Sequence, residues 1–354
     1  MTKSPKKVTL SDVAKLAGVS SGAVSKVLNG GSGRIGVGAD ARNRIIEAAR
    51  KLDYKANMAA SILAGGNSKL IGVFIDSFAS YRMLRLLQEI ERLCTKAGYR
   101  IITSFSHDNI AAMKEDYLTL QRYGVSGFIC CSHDYSGMKR KVAGIFAGSD
   151  NVVFMEKPCI PGMPYVRTDR TAALTKMIAD ASRAGYRRIG LLHGRLAYSS
   201  EKKLRSEFES AMRSNGLSPD PNLIFECPGE SDEPKIRILA AMENMILPFR
   251  PDFLFVDDAP HSAALRTKML LSGQDIMIHG GNGDPLFDDI GLRTFDPDYE
   301  KMAEALLDLL LRPENRKKVP VIEAIYKNIA KNSSNEAKAN INRRRKPWKE
   351  KNSR

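Results

Sequence analysis

The sequence predicts two architectures in one chain, an all-α head followed by an α/β body. Within residues 8–69, apolar side chains recur at helical spacing in three short segments and a weaker fourth one. From Leu70 onward, short apolar runs typical of buried parallel strands alternate with amphipathic helical segments. These units are too many for one sheet, so we expect two doubly wound parallel-sheet subdomains.

The head begins with a helix-turn-helix pattern. Thr9 lies three residues before Asp12, which is the spacing of a capping box. Gly18 breaks the first helix, and Ser20 can cap the second one. The inward face of the first helix is predicted to consist of Val13, Leu16 and Ala17.

The second helix is predicted from Ser21 to Asn29, with Val24, Val27 and Leu28 facing inward. Its outward residues are small or polar, as expected of a helix that enters a major groove. They are Ser21, Gly22, Ser25 and Lys26. A third helix, from about Ala39 to Leu52, would bury Ile45, Ile46, Ala49 and Leu52.

Four motifs in this region resemble the LacI/GalR family of bacterial transcription regulators nearly residue for residue. They are TLSDVAKLAGVS, AVSKVLN, VGADARNRI and LDYKANMAASILAG. The last motif follows the third helix, where generic helix-turn-helix proteins have no counterpart. The resemblance implies a lambda-repressor-like head in a cytoplasmic homodimer that binds a pseudo-palindromic operator in double-stranded DNA and represses transcription. A three-helix bundle without a nucleic-acid role is the alternative.

By the same resemblance, residues 57–65 would form a hinge helix that folds when two protomers meet over the operator. Ala60 and Leu63 would enter the minor groove, where an apolar wedge such as Leu63 unstacks a base step and kinks the duplex. The expected DNA-contacting residues are Thr9, Ser20, Ser21, Gly22, Ala23, Ser25, Lys26, Asn29, Arg34, Arg42, Asn57, Ala60 and Leu63.

Several positions depart from the family pattern. The glycine-rich loop is longer than usual, Gly38 stands where a capping Ser is common, and Ala56 replaces the usual Pro. Gly22 weakens the second helix, because Gly costs about 1 kcal/mol relative to Ala inside a helix. We interpret these departures as altered loop geometry and operator choice rather than loss of DNA binding.

The net charge of +15 is concentrated at the two ends of the chain. Residues 1–69 contain 12 Lys or Arg and 4 Asp or Glu, and residues 331–354 contain 9 and 2. The residues between them are neutral overall, which indicates a phosphate-binding head on a neutral body. The basic tail is interpreted as a disordered end rather than a second DNA contact. A basic protein that binds DNA without sequence preference is an alternative.

The predicted domains are the head (1–56), a hinge and linker (57–69), a body (70–330) and the tail (331–354). The body resembles the LacI/GalR family more weakly, through AGYRRIGLLHG, PDFLFVDDA and GLRTFDPDYEKMAEALLDLLL. The resemblance implies two lobes like those of periplasmic sugar-binding proteins, with chain crossings near Tyr165, Thr294 and Pro320. A periplasmic solute-binding protein is a further alternative, but it would need an export signal, and no apolar run follows the basic start.

The resemblance implies a small-molecule effector, such as a sugar, in the cleft between the lobes. The expected ligand-binding residues are Asp76, Phe78, Ser132, Asp169, Lys203, Arg205, Asp258 and Asn282. Asp258 matches the strand-end aspartate with which the family binds sugar hydroxyls, although it could instead cap a helix. Leu204 replaces the family's sugar-binding arginine, and Gly280-Gly281-Asn282 replaces Gly-aromatic-Asp, so the ligand could be a different small molecule.

The sequence offers no pattern typical of an enzyme. The glycine-rich loop lacks the Lys-Ser/Thr of a phosphate-binding loop, and no GxGxxG motif is completed. The five cysteines have no CxxC or metal-ligand spacing, and no run reaches the 18 apolar residues of a membrane span. We therefore expect no catalysis, no cofactor, no metal and no membrane contact.

Overall fold

The computed structural model describes residues 8–29, 36–55, 68–75, 81–105, 109–135, 137–194, 199–226, 234–274, 276–281, 283, 287 and 292–326. The head contains three helices, α1 (Leu10–Ala17), α2 (Ser21–Asn29) and α3 (Ala39–Lys51). They enclose a small core whose buried members are Val13, Ala14, Ala17, Val24, Ile45 and Ala48. The helix-turn-helix pattern is confirmed.

Two residues expected inside the head are exposed. Leu16 is 53% exposed and Ile46 is 49% exposed. Each of these helices is short and buries a single narrow face, and Ala14 and Ala48 occupy the inward positions instead. The prediction that Leu16 and Ile46 are core residues was therefore wrong, because two small alanines allow the helices to approach closely.

The body alternates strands and helices along the chain. Its first half contains β1 (Leu70–Ile75), α4 (Tyr81–Lys96), β2 (Arg100–Phe105), α5 (Ile110–Arg122), β3 (Gly127–Cys130), α6 (Lys139–Phe146), β4 (Val152–Met155), β5 (Tyr165–Asp169) and α7 (Thr171–Arg183). Its second half contains β6 (Ile189–His193), α8 (Ser199–Ser214), β7 (Ile224–Glu226), α9 (Pro234–Ala241), β8 (Phe253–Val256), α10 (Ala259–Leu271), β9 (Met277–Gly280), β10 (Arg293–Asp296), α11 (Tyr299–Leu311), β11 (Val321–Glu323) and β12 (Ile325–Tyr326).

The strands form two sheets of six, which define two lobes. The first sheet has the order β11-β5-β4-β3-β1-β2, and every pairing in it is parallel. The second has the order β12-β10-β9-β8-β6-β7, with only the short β12 antiparallel. The prediction of two doubly wound parallel-sheet subdomains is confirmed.

Helices cover both faces of each sheet, as continuous apolar strands require. In the first lobe, α4 and α11 pack on one face, and α5 and α6 pack on the other. In the second lobe, α7 and α8 cover one face, and α9 and α10 cover the other. Five methionines are buried in these cores, namely Met83, Met113, Met177, Met212 and Met269. Among the described residues, no helix is both long and apolar enough to cross a bilayer.

The chain passes between the lobes three times within the described residues. It leaves the first sheet after β5, returns to it with α11 after β10, and crosses again between β11 and β12. The expected crossings at Tyr165, Thr294 and Pro320 lie in or next to the elements that flank these passages. The carboxyl ends of both sheets therefore lie near the junction of the lobes, where a ligand is expected in such folds.

Candidate functional site

The first turn of α1 is fixed by a capping box. The amide of Asp12 donates to Thr9 Oγ1 at 3.3 Å, and the amide of Thr9 donates to Asp12 Oδ2 at 2.9 Å. At the other end, Gly18 closes the helix in the left-handed conformation, with φ of +65°, which other residues adopt with strain. The turn into α2 is thus set by residues that the sequence identified.

The second helix presents its amino-terminal turn to the surface. Ser20 accepts a hydrogen bond from the amide of Ala23 at 3.2 Å and so caps α2. Val24 is fully buried and anchors the helix on the head core. Ser21 and Gly22 are exposed, and Ala23, Ser25 and Lys26 are half-buried. This face is small and polar, as the sequence predicted, and it has the shape that a groove-reading helix needs.

The third helix carries exposed basic residues. Arg42 and Arg44 lie in the first half of α3, and both are exposed. Gly38 is the N-cap of α3 and supplies no side-chain cap, which fits its departure from the family's Ser. Of the remaining predicted DNA contacts, Asn29 ends α2, and Arg34, Asn57, Ala60 and Leu63 lie outside the described residues.

In the body, a buried ionic cluster joins the end of β5 to α8. Lys203 donates a hydrogen bond to the carbonyl oxygen of Thr168, and its Nζ lies 3.7 Å from Glu207 Oε1. Arg170 Nε lies 3.6 Å from Glu207 Oε2, for which the described residues supply no hydrogen-bond partner. Burial raises the pKa of Glu207, and the two cations oppose that rise. Arg170 and Glu207 are mostly buried, whereas the Lys203 side chain is 32% exposed, so the cluster is a charged site that reaches solvent on one side.

Asp169 stands at the edge of this cluster. It accepts a hydrogen bond from the amide of Thr171 at 2.9 Å, and its carboxylate lies 3.7 Å from Arg167. Burial opposes ionisation of Asp169, but the Thr171 hydrogen bonds and the nearby Lys203 and Arg167 lower its pKa. Asp169 and Lys203, which the sequence placed in one site, share one electrostatic environment.

The sequence missed Arg170 and Glu207. A usable signal was present, because Lys203 and Glu207 are four residues apart on α8, the spacing of an intrahelical ion pair. Arg205 points elsewhere, since its Nε donates to Glu209 Oε1 at 3.0 Å. Leu204, between the two cations, is 1% exposed and belongs to the core of the second lobe.

The carboxyl ends of three neighbouring strands form a second polar group. His193 ends β6, Asp257 follows β8 and Gly281 follows β9. Asp257 Oδ2 lies 3.4 Å from Arg237, and both side chains are mostly buried. Burial lowers the pKa of His193, and its Nε2 has no hydrogen-bond partner among the described residues. These groups lie at the carboxyl edge of the second sheet, next to the junction of the lobes.

Asp258 is the N-cap of α10. Its Oδ2 accepts from the amide of His261 at 3.3 Å and lies 2.6 Å from His261 Nδ1. The capping interpretation of this residue is therefore the one seen in the structure, and its role as a ligand contact stays a prediction. Ser132 is buried and hydrogen-bonded to the Tyr135 hydroxyl. Asp76, Phe78 and Asn282 lie outside the described residues.

Residues 9–57 match the sequence model of the bacterial regulatory proteins of the lacI family. The head belongs to the LacI family. This match spans the capping box of Thr9, all three helices and the start of the stretch after them. It confirms the resemblance on which the expectations for the head were based.

Curated LacI-family repressors resemble a larger part of the chain. The sucrose operon repressor of Klebsiella pneumoniae is 25% identical over 225 residues, which are 62% of this chain and 65% of that protein. The transcriptional repressor PurR of Pasteurella multocida is 25% identical over 221 residues, covering 62% of this chain and 64% of that protein. The chain thus matches slightly less than two thirds of the length of these relatives.

Solved structures of LacI-family regulators share the fold over nearly the whole chain. The lac repressor dimer bound to operator and the anti-inducer ONPF has a TM-score of 0.73 and 21% identity, covering 92% of this chain and 99% of that one. The complex of the regulator CelR with cellobiose has a TM-score of 0.61 and 18% identity, covering 90% of this chain and 98% of that one. The two-lobed body is therefore the LacI-family fold.

Proposed function

We propose that this chain is a sequence-specific DNA-binding regulator that represses transcription. The observation that carries the proposal is the presentation of α2, whose first turn is capped by Ser20, anchored by Val24 and exposed at Ser21 and Gly22. The match of this head to the LacI family and the names of its relatives, which are repressors, support the proposal. The proposed role is regulatory rather than catalytic, and it places the protein in the cytoplasm with its DNA.

Two kinds of contact would hold the head on DNA. The first turn of α2 would read base edges in the major groove, with Lys26 at a base edge or a phosphate. Arg42 and Arg44, which are exposed on α3, would neutralise phosphates. The hinge residues Asn57, Ala60 and Leu63 would add minor-groove contacts, as the family resemblance implies.

We further propose that the protein acts as a homodimer on a pseudo-palindromic operator. Two heads related by a twofold axis would read half-sites about one helical turn apart. Leu270 and Leu271, at the end of α10, are 64% and 83% exposed, and adjacent exposed leucines favour burial against a partner. The dimer of the lac repressor, which shares this fold, is consistent with such an assembly.

The junction of the lobes would bind a small-molecule effector that changes operator affinity. His193 Nε2 and Glu207 Oε2 have no hydrogen-bond partner within the described residues, which supports a polar ligand, because buried polar atoms normally have such a partner. Leu204 lies in the core where the family's sugar-binding arginine would stand. A sugar acid or a nucleoside therefore fits the proposal as well as a neutral sugar does.

The test is a titration of labelled duplexes with the full-length protein. A duplex from the upstream region of its own gene is compared with a shuffled duplex of equal composition at several salt concentrations. We expect the specific duplex to bind at least about 1,000-fold more tightly at physiological salt. Lys26→Ala should lower specific affinity about tenfold or more, whereas Lys96→Ala, an exposed lysine on α4, should not.

The salt dependence distinguishes the two roles of Lys26. If it contacts a base, the substitution lowers affinity for the operator more than for the shuffled duplex. If it contacts a phosphate, both duplexes lose affinity and the slope of log affinity against log salt falls by about 1. Equal, salt-sensitive binding of both duplexes by the unmodified protein would instead indicate a non-specific DNA-binding protein and would refute the proposal.

A further inference from the structure

A groove of about 610 Å³ lies on the first lobe between α5 and α6. Ile110 and Ile145 form its floor, and both are buried members of the lobe core. Its sides are lined by Asn109, Ala111, Lys114, Met138, Lys141 and Gly144. The volume is within the range of small-molecule sites, and most of the lining is apolar.

The charged lining residues are all positive. Lys114 and Lys141 are exposed at the rim, and neither forms an ion pair within the described residues. Among the residues that the structure describes, the lining contains no Asp or Glu. The rim therefore attracts anions, while the floor offers an apolar surface.

The start of α6 adds positive charge next to this rim. Its first three residues, Lys139, Arg140 and Lys141, are all cationic, and its N-cap Met138 supplies no side-chain hydrogen bond. Cations at a helix amino terminus are unfavourable, since this end already carries partial positive charge. Within the described part of the chain, Lys139 is the one of these three that forms an ion pair, with Asp134 at 4.0 Å. An anion beside Lys141 would relieve the repulsion.

We propose that this groove binds an amphipathic organic anion. Its apolar body lies on Ile110 and Ile145, and its carboxylate or phosphate head lies between Lys114 and Lys141. The site is separate from the proposed effector site, because none of the described residues predicted for the cleft between the lobes lines the groove. The chain would then bind two different classes of small molecule.

Gly144 provides a direct test of occupancy. A Cβ built at this residue meets no atom within 4 Å, so a larger side chain fits without disturbing the core. Because Gly144 lines the groove, Gly144→Leu would fill space that the apolar body needs. Lys141→Gln removes one rim charge, and Arg140→Gln removes a charge from the same helix outside the lining, which makes it the matched control.

The experiment is calorimetric titration of the full chain with octanoate, octyl phosphate and octan-1-ol. We expect saturable binding of at least one of the two anions, and binding of the neutral alcohol at least about tenfold weaker. The affinity for the bound anion should fall about tenfold or more in Gly144→Leu and in Lys141→Gln, and should stay within about twofold in Arg140→Gln. The anion that binds with the higher affinity shows whether the site prefers a carboxylate or a phosphate head group.

Four outcomes would overturn the proposal. The first is that neither anion binds saturably, and the second is that octan-1-ol binds as tightly as octanoate. The third is that Gly144→Leu binds the anions as tightly as the unmodified chain, which would place them elsewhere. Binding of an acidic, leucine-containing peptide in the absence of anion binding would likewise overturn it, in favour of a peptide partner. None of these results depends on DNA binding.

Discussion

Lys203 on α8 of the second lobe donates a hydrogen bond to the carbonyl oxygen of Thr168 on β5 of the first lobe. Thr168 is in turn held by Glu156, whose Oε1 accepts from the Thr168 amide at 3.0 Å. The Lys203 ammonium is also 3.7 Å from Glu207. A polar chain of four residues therefore runs across the junction of the lobes.

Replacing Lys203 by Met should lower the free energy of unfolding by about 1.5 kcal/mol, the lower end of the range for a hydrogen bond to a charged group. The side chain is 32% exposed, which argues against a larger effect. Urea unfolding at pH 7 measures the change. Lys202→Met is the control, because Lys202 is the next lysine in the chain and its side chain is exposed. An equal loss in both variants would show that the contact between the lobes adds no stability.

His279 should make the second lobe sensitive to acid. Burial lowers its pKa to about 3, although its Nδ1 lies 3.0 Å from the Gly280 carbonyl oxygen. Below the ordinary histidine pKa of about 6.5, the unfolded chain takes up a proton that the folded chain refuses. Stability is therefore lost as the pH falls from there towards the folded pKa.

His279→Phe should remove this contribution while keeping the ring contacts with Phe295 and Tyr326, whose centroids lie 4.9 and 5.7 Å away. Between pH 7 and pH 5 the variant should lose about 2 kcal/mol less stability than the unmodified chain. Urea unfolding at the two pH values measures the difference. Tyr326→Phe is the control, because it changes a residue of the same ring cluster that is not a histidine. Its effect on the free energy of unfolding should therefore be equal at pH 7 and pH 5. If His279→Phe left the pH dependence of stability unchanged, His279 would not be the cause of the acid sensitivity.

Gly22→Ala should stabilise α2 by up to about 1 kcal/mol. The nearest atom to a Cβ at this residue is Ser20 Oγ at 3.8 Å, so the methyl group causes no clash. Hydrogen exchange of the α2 amides in the full chain measures the gain. Gly18→Ala is the opposite case, because its φ of +65° strains any other residue, and it should speed exchange at the end of α1. Faster exchange in Gly22→Ala would refute the helix argument.

Leu63→Ser should lower specific operator affinity while leaving the fold of the body intact. The expected loss is about tenfold or more, because the kinked duplex would lack its apolar wedge. Fluorescence anisotropy with operator DNA measures the affinity, and the far-ultraviolet circular dichroism spectrum checks the fold. Val319→Ser is the control, since it removes a 44% exposed apolar side chain from the body. Unchanged operator affinity in Leu63→Ser would show that the wedge role is wrong.

Helical periodicity and apolar runs predicted most of the fold. The strand at Leu70–Ile75 begins at the residue where the sequence predicted the apolar runs of the body to begin, because its residues are apolar without interruption. The strand at Tyr165–Asp169 was missed, since Arg167 and Asp169 interrupt its apolar pattern, and it is held by two parallel neighbours instead. Helix α6 was missed as well, because three cations and Gly144 leave it little periodicity.

The site was harder to predict than the fold, because its contacts join distant parts of the chain. Lys203 was selected for its place beside Leu204, but its partner Thr168 is 35 residues away and belongs to the other lobe. Only the crossing of the chain after β5 brings the two together. Asp258 shows the converse, since its local capping role was visible in the sequence and its carboxylate is already hydrogen-bonded within its own helix.

The three passages of the chain between the lobes have a mechanical consequence. A single connecting segment would let the lobes rotate freely about it. Three neighbouring segments restrict twisting and sliding of the lobes, so bending is the motion that remains. Each lobe is also built from separate stretches of sequence, so that no single cut of the gene yields either one intact. We therefore expect the two lobes to open and close by one bending motion. A ligand of the proposed effector site between them would then determine how far the lobes are closed.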